Sequence, residues 1–223
     1  MLLAIDTSTL WIGLALYDGA QVLGETYWKS SSHHTIELAP AISDLLNKCS
    51  IKPESIQAIG VALGPGSFTA LRIGLAVAKG LALGLHIPVF GIPTLDILAA
   101  AQPVQPIPMA AVLQAGRGRL AVAWYEVMDE KWVVSKKSVV TTVEELAEQI
   151  HQPTLICGEL SEKDRVTLGR KWKNARLVLP YQSVRRPAVL ASLAWERWQS
   201  KQVDNIASLS PIYLHIGDPI PSP

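Results

Sequence analysis

Apolar residues in this chain come in short blocks whose period changes several times, and those changes mark the elements. Residues 2–5 form an unbroken apolar run closed by Asp6-Thr7-Ser8. Residues 11–17 and 21–28 follow, with Asp18-Gly19 between them, a pair that favours a tight hairpin turn. Three strands are therefore predicted within the first 28 residues. The period then lengthens: Leu38, Ile42, Leu45 and Leu46 fall on one face of a helix over residues 35–46, with Pro40 bending its early turns. An apolar run over residues 56–62 predicts a buried strand. A Gly64-Pro65-Gly66 turn follows it, and then an apolar segment reaching Leu85 with the character of a long helix. Residues 87–90 predict another strand and residues 94–101 another helix.

The turn at Gly64 is the sharpest local feature. Gly64 and Gly66 permit positive φ and close backbone approach, and Pro65 stiffens the bend. Ser67 stands where a helix N-cap hydroxyl would accept from the free N–H groups of the first turn, a geometry that also suits an anion. Behind it Ala70, Gly74, Ala78 and Ala82 recur every four residues, and Ala76, Gly80 and Gly84 form a second small-residue row. Glycine costs a helix about 1 kcal/mol relative to alanine, so close packing is expected to compensate. Two surfaces compete for that role, the chain's own sheet and a partner helix.

Three prolines at positions 103, 106 and 108 break the pattern and mark a boundary between a first lobe, residues 1–102, and a second, residues 103–223, whose tail can return to the first. Past the boundary the opening recurs, because residues 3–18 overlay residues 111–126 without a gap, Tyr17 meeting Tyr125 and Asp18 meeting Glu126. A strand over 132–140, a helix over 143–150 and a strand over 154–158 keep the same order. Two copies of β-β-β-α-β-α predict an α/β fold with mixed sheets and a cleft between lobes. A last helix over 187–199 and an extended segment over 210–215 close the chain, with 218–223 expected to fray.

Composition narrows the class without naming a ligand. With 49% hydrophobic and 17% charged residues among 223, the chain has the character of a globular protein. A net charge of +1 carries no whole-chain signal for nucleic acid or membrane. Two distant cysteines, Cys49 and Cys157, predict a reduced compartment, and the chain start shows no basic region of a signal peptide. The long apolar segment contains Arg72 and Lys79, whereas a spanning helix needs about 20 largely uncharged residues; it is expected to be core.

Candidate chemistry is sparse. The Gly64 turn lacks the lysine of a phosphate loop, has Thr69 where a dinucleotide loop wants glycine, and is no nucleophile elbow. Among five histidines none shows a metal-binding spacing, so no metal site is expected. Asp6, with Thr7 beside it, is the best acidic candidate, since a carboxylate at the end of a first strand can hold Mg²⁺ through water. With Gly64, Gly66 and Ser67 it makes the candidate nucleotide-facing set. Gln114 replaces that aspartate in the second copy, and one carboxylate is a poor phosphotransfer site. Lys163, Arg165, Arg170, Lys171, Lys173 and Arg176 surround Trp172, and Arg185-Arg186 follow; such a patch is a solvated face or an RNA contact.

Four stretches together resemble the TsaB (YeaZ) family: Ala4-Ile5-Asp6-Thr7-Ser8; His34-Thr35 with Leu38-Ala39-Pro40; Gly64-Pro65-Gly66-Ser67-Phe68-Thr69 with Leu71-Arg72-Ile73-Gly74; and Pro211-Ile212-Tyr213-Leu214. The resemblance is strong over residues 1–100 and looser beyond. It implies a duplicated actin/hexokinase-like (ribonuclease H-like) fold, a degenerate ATPase without a catalytic site of its own. It also implies a cytoplasmic, non-catalytic subunit of the complex that transfers threonylcarbamoyl from its adenylate to N6 of adenosine 37 in tRNAs reading codons that begin with A. The implied partners are a TsaD-like catalytic paralogue, a TsaE-like ATPase, tRNA through the complex, and a second copy when the chain is alone. No membrane and no cofactor of its own are implied, ATP or ADP belonging to an interface within the complex. Thr94 and Leu98 stand where the paralogue carries two metal-binding histidines. The helices at 35–46 and after the Gly64 turn imply a partner interface, assigned to Thr35, Leu38, Ile42, Leu45, Ala70, Leu71, Gly74, Leu75, Ala78 and Ala82. Gln114-Ala115-Gly116-Arg117-Gly118, in place of an Asp-Ala-Arg style turn, and His215, in place of arginine, depart from the family pattern. Two other classes remain open: an active small-molecule kinase of the actin/hexokinase type, and a metallopeptidase.

Overall fold

A computed structural model describes residues 1–31, 33–170 and 173–214. Lys171, Trp172, His215 and the expected frayed end at 218–223 lie outside the described residues. The first lobe runs β1 (Leu2–Asp6), β2 (Trp11–Tyr17), β3 (Val22–Lys29), α1 (His34–Lys48), β4 (Ala58–Gly64), α2 (Phe68–Leu85), β5 (Val89–Pro93) and α3 (Thr94–Ala100). The second runs β6 (Met109–Gln114), β7 (Arg119–Met128), β8 (Lys131–Thr142), α4 (Val143–Gln149), β9 (Thr154–Gly158), α5 (Glu162–Gly169) and β10 (Ala175–Leu177); α6 (Pro187–Gln199) follows.

The sheets are ordered β3-β2-β1-β4-β5 and β8-β7-β6-β9-β10, the same topology twice. In each, the first three strands are antiparallel and the later ones join in parallel. The duplication read from sequence is therefore structural, with one slip. Asp6 pairs with Gly13, but Gln114 pairs with Leu120, so the second hairpin is one residue shorter and an ungapped overlay misaligns β7.

Every residue of β1 is buried because both faces of the first sheet are covered. Leu3, Ile5, Ile12 and Leu14 pack beneath α1 and α2; Leu2, Ala4, Ala15 and Phe90 pack beneath Leu190, Ala191 and Ala194 of α6. Thus α6, which follows the second sheet in sequence, lies on the first. In exchange, α3 sends Leu95, Leu98 and Ala99 into the core around Met109, Ala111 and Ala123 of the second sheet, whose other face carries α4 and α5. By length and composition α2 could cross a membrane, yet its Ala70, Gly74 and Ala78 side is buried on the sheet. One helix and one strand of the second lobe, α5 and β10, are absent from the sequence-based expectation, although α5 opens with a reciprocal capping box between Ser161 and Asp164.

Candidate functional site

The end of β1 and the start of α2 form one locked corner. Gly64 has φ +106°, and its N–H donates to Thr94 Oγ1 at 2.9 Å. The Thr94 and Ser8 hydroxyls lie 2.7 Å apart. Gly66 passes so close to the Ser8 carbonyl that a Cβ there would collide with backbone, and Ser67 N–H donates to the same oxygen at 2.7 Å. Thr7 Oγ1 donates to Ala70 O at 2.7 Å, and Gly74 leaves the space that the Thr7 side chain fills. Ser67 is the N-cap of α2 by position, but its hydroxyl makes no capping bond, contrary to the sequence expectation.

Asp6 is held on both oxygens. Oδ1 accepts from Ser8 N–H at 2.8 Å, and Oδ2 accepts from Arg185 Nε at 2.8 Å. Arg185 is wholly buried, and its other nitrogens donate to Glu159 Oε1 and, at 2.9 Å, to Thr9 Oγ1. Burial opposes the charge on Arg185, but Asp6 and Glu159 outweigh it and push the guanidinium further up. Beside them, burial raises the Tyr27 phenol above its ordinary range.

A cleft of about 1410 Å³ opens between the lobes above this cluster. Gly66 and Ser67 line it, with Trp11, Tyr27 and Lys29 from the first lobe and Gln114, Glu159 and Arg165 from the second. Of the five candidate nucleotide-facing residues, these two alone reach it. Asp6 and Thr7 are buried and bonded to Arg185 and Ala70 respectively, and Gly64 is buried behind the turn. That part of the assignment is corrected. Arg185 and Glu159 were missed as site residues. An Arg-Arg pair near other basic residues reads as surface, and only Arg186, bonded to Glu25, is exposed. Gln114 Nε2 reaches Asp164 Oδ2 at 2.9 Å and the Glu159 carbonyl at 3.2 Å, so it braces the start of α5.

The interface assignment needs a similar correction. Leu38, Ile42, Leu45, Ala70, Leu71, Gly74, Leu75, Ala78 and Ala82 are buried against the chain's own sheet, leaving Thr35 exposed among the ten. The second small-residue row faces outward instead: Ala76, Gly80 and Gly84 are exposed, and a Cβ on either glycine would meet nothing within 4 Å. Leu83 and, on α1, Ile36 are 63% and 67% exposed. The two helices touch, so these exposed positions belong to one helix pair.

Among the described residues no group of three or more His, Cys, Asp or Glu could hold a metal ion. His34 is buried with Nε2 2.9 Å from the Thr9 carbonyl. Thr94 is buried and bonded as above, and Leu98 is core. In the basic patch, Lys163, Arg170, Lys173 and Arg176 are exposed, while Arg165 donates to the Val178 carbonyl at 3.1 Å.

A family model described as TsaD, tRNA N6-adenosine threonylcarbamoyltransferase, matches residues 28–208. The chain is 30% identical to the tRNA threonylcarbamoyladenosine biosynthesis protein TsaB of Bacillus subtilis, over 97% of this chain and 95% of the relative. It is 29% identical to the protein of that name from Escherichia coli, over 96% and 94%. Among solved structures, YeaZ from Pseudomonas aeruginosa superposes with a TM-score of 0.78 at 26% identity, covering 96% of this chain and 99% of that one. Component A of the (R)-2-hydroxyglutaryl-CoA dehydratase of Acidaminococcus fermentans shares the fold, with a TM-score of 0.50 at 10% identity over 87% of this chain and 96% of that one.

Proposed function

The chain belongs to the TsaB family of tRNA threonylcarbamoyladenosine biosynthesis proteins, within the wider family of the TsaD model, and we propose that it serves this modification as a non-catalytic subunit. It docks and activates a TsaD-like threonylcarbamoyltransferase, works with a TsaE-like ATPase, and reaches tRNA through the complex, in the cytoplasm. Alone, it pairs with a second copy through the same surface. The observation that carries this reading is the outward apolar face of α1 and α2, where Ala76, Gly80 and Gly84 let another helix approach closely and Ile36 and Leu83 supply apolar area. ATP or ADP belongs to an interface within the assembled complex.

The kinase alternative is disfavoured by the state of Asp6. Its carboxylate already bonds Arg185 and the Ser8 N–H, so it is not presented to a metal–phosphate group. The metallopeptidase alternative requires a ligand set, and Thr94 and Leu98 offer neither an imidazole nor an accessible position. The test is co-purification with the catalytic paralogue, followed by tRNA modification with and without this chain. Modification is expected to depend on the chain, and Gly80→Leu is expected to reduce capture and modification together. Full modification without the chain would overturn the activating role. ATP turnover by the isolated chain that disappears in Asp6→Ala would restore the kinase reading.

A further inference from the structure

The buried ion cluster below the cleft joins the lobes as well as neutralising Asp6. Asp6 ends β1 and Thr9 lies in the next turn, both in the first lobe; Glu159 directly follows β9 of the second. Arg185 sits on the strand of chain that crosses back from the second sheet to α6. Its Nε donates to Asp6, one terminal nitrogen to Glu159 and the other to Thr9 Oγ1, which in turn donates to Glu159 Oε1 at 2.9 Å. The ring is closed, with two carboxylates and one hydroxyl sharing one guanidinium. Two carboxylates so close repel unless a cation lies between them, and in a buried setting that cation must be well bonded to persist.

From this geometry we infer that Arg185 is a built-in cationic clamp that sets the width of the cleft, filling from within the chain the place where Asp6 and Glu159 would otherwise need a bound cation to draw the lobes together. The cleft then keeps its form without a ligand. Arg185 acts here as a positioning residue, and its effect is exerted on the relation of the lobes, not on the α1–α2 surface, which lies wholly in the first lobe.

The test places spin labels on the facing cleft walls through Lys29→Cys and Glu162→Cys in a Cys49→Ser background; the other native thiol, Cys157, is buried. The parent chain is expected to give one narrow interlabel distance distribution. Arg185→Ala and Glu159→Ala are each expected to broaden it toward longer distances, with far-UV circular dichroism and self-association through α1–α2 retained. Millimolar guanidinium, but not equal urea, should narrow the distribution again in Arg185→Ala and leave Glu159→Ala broad, because only the first variant has a guanidinium-shaped vacancy between two carboxylates. A distribution that stays narrow in Arg185→Ala overturns the inference, as does a broadened one that guanidinium leaves unchanged or that narrows equally in both variants. Should Arg185→Ala fail to fold, Glu159→Ala decides: a narrow distribution there overturns the clamp, and a broad one supports it.

Discussion

The same substitution at two glycines of α2 should have opposite signs. A Cβ at Gly74 would collide with Thr7 Oγ1, which cannot turn away without breaking its bond to Ala70 O. Gly74→Ala is therefore expected to lower stability by about 1–3 kcal/mol, the usual range for overpacking. At Gly80 a Cβ meets open space, so Gly80→Ala should gain up to about 1 kcal/mol of helix propensity. Denaturant midpoints at unchanged slope measure both. Asp96 offers a pH-dependent counterpart. Burial raises its carboxyl above the ordinary value of 3.8, and the Tyr125 hydroxyl, donating to it at 2.7 Å, pulls back in part. A raised folded value means the native state binds more protons than the unfolded state between the two values, so Asp96 costs stability as pH rises through that window. Asp96→Asn keeps an acceptor for Tyr125, and should melt higher than the parent chain at pH 7. The gap should close as pH falls below about 3.8, where both forms are neutral. Burial also pushes the Cys157 thiol up to about 12, so native alkylation should be slow there and faster at the partly exposed Cys49, as read by mass spectrometry.

At the scale of the element, α2 shows what a periodic pattern reveals and what it conceals. The four-residue recurrence of small side chains was plain in sequence, and so was the need for close packing. Which of the two rows meets the chain's own sheet was not, since Ala70-Gly74-Ala78-Ala82 and Ala76-Gly80-Gly84 are alike in size and polarity. The choice is made by Thr7, which is 67 positions from Gly74 in number and enters the groove beside it only because β1 pairs with β4. The exposed row is accordingly the one for testing partner contact. Ala76→Leu or Gly80→Leu should abolish pairing in cross-linking or sedimentation while leaving the melting temperature near that of the parent chain. Ala78→Leu, wholly buried, should instead unfold the monomer. If Gly80→Leu still pairs with normal affinity, the outward face of α2 is not the docking surface.

At the scale of the molecule, local patterns revealed the repeated strand order, because β1–β2 and β6–β7 are both pairs of short apolar runs separated by a polar turn. They could not reveal long-range exchange. Nothing near Arg185 in sequence distinguishes it from Arg186, yet one is sealed among Asp6, Thr9 and Glu159 and the other is exposed beside Glu25. Likewise the apolar side of α6 was legible, but not that it covers the first sheet. That crossing makes the first lobe dependent on the end of the chain. Leu2, Ala4, Ala15, Ala58 and Phe90 are buried beneath Leu190, Ala191 and Ala194, and Gly60 is small because Ala194 presses on it. Further on, Ile206, Leu209 and Ile212 pack at the other core of the same lobe, with Ile212 N–H donating to Leu63 O at 2.7 Å. Residues 1–102 expressed alone would therefore bare the part of a five-stranded sheet that α6 covers, leaving Ile97 of α3 on that face. They are expected to bind a hydrophobic dye and to lack a cooperative melt. Fusing residues 187–214 to them through a flexible linker should restore a cooperative transition, since it returns both α6 and the closing segment. A sharp melt of 1–102 by itself, at the temperature of the whole chain, would show that the first sheet holds together without the helix that crosses to it.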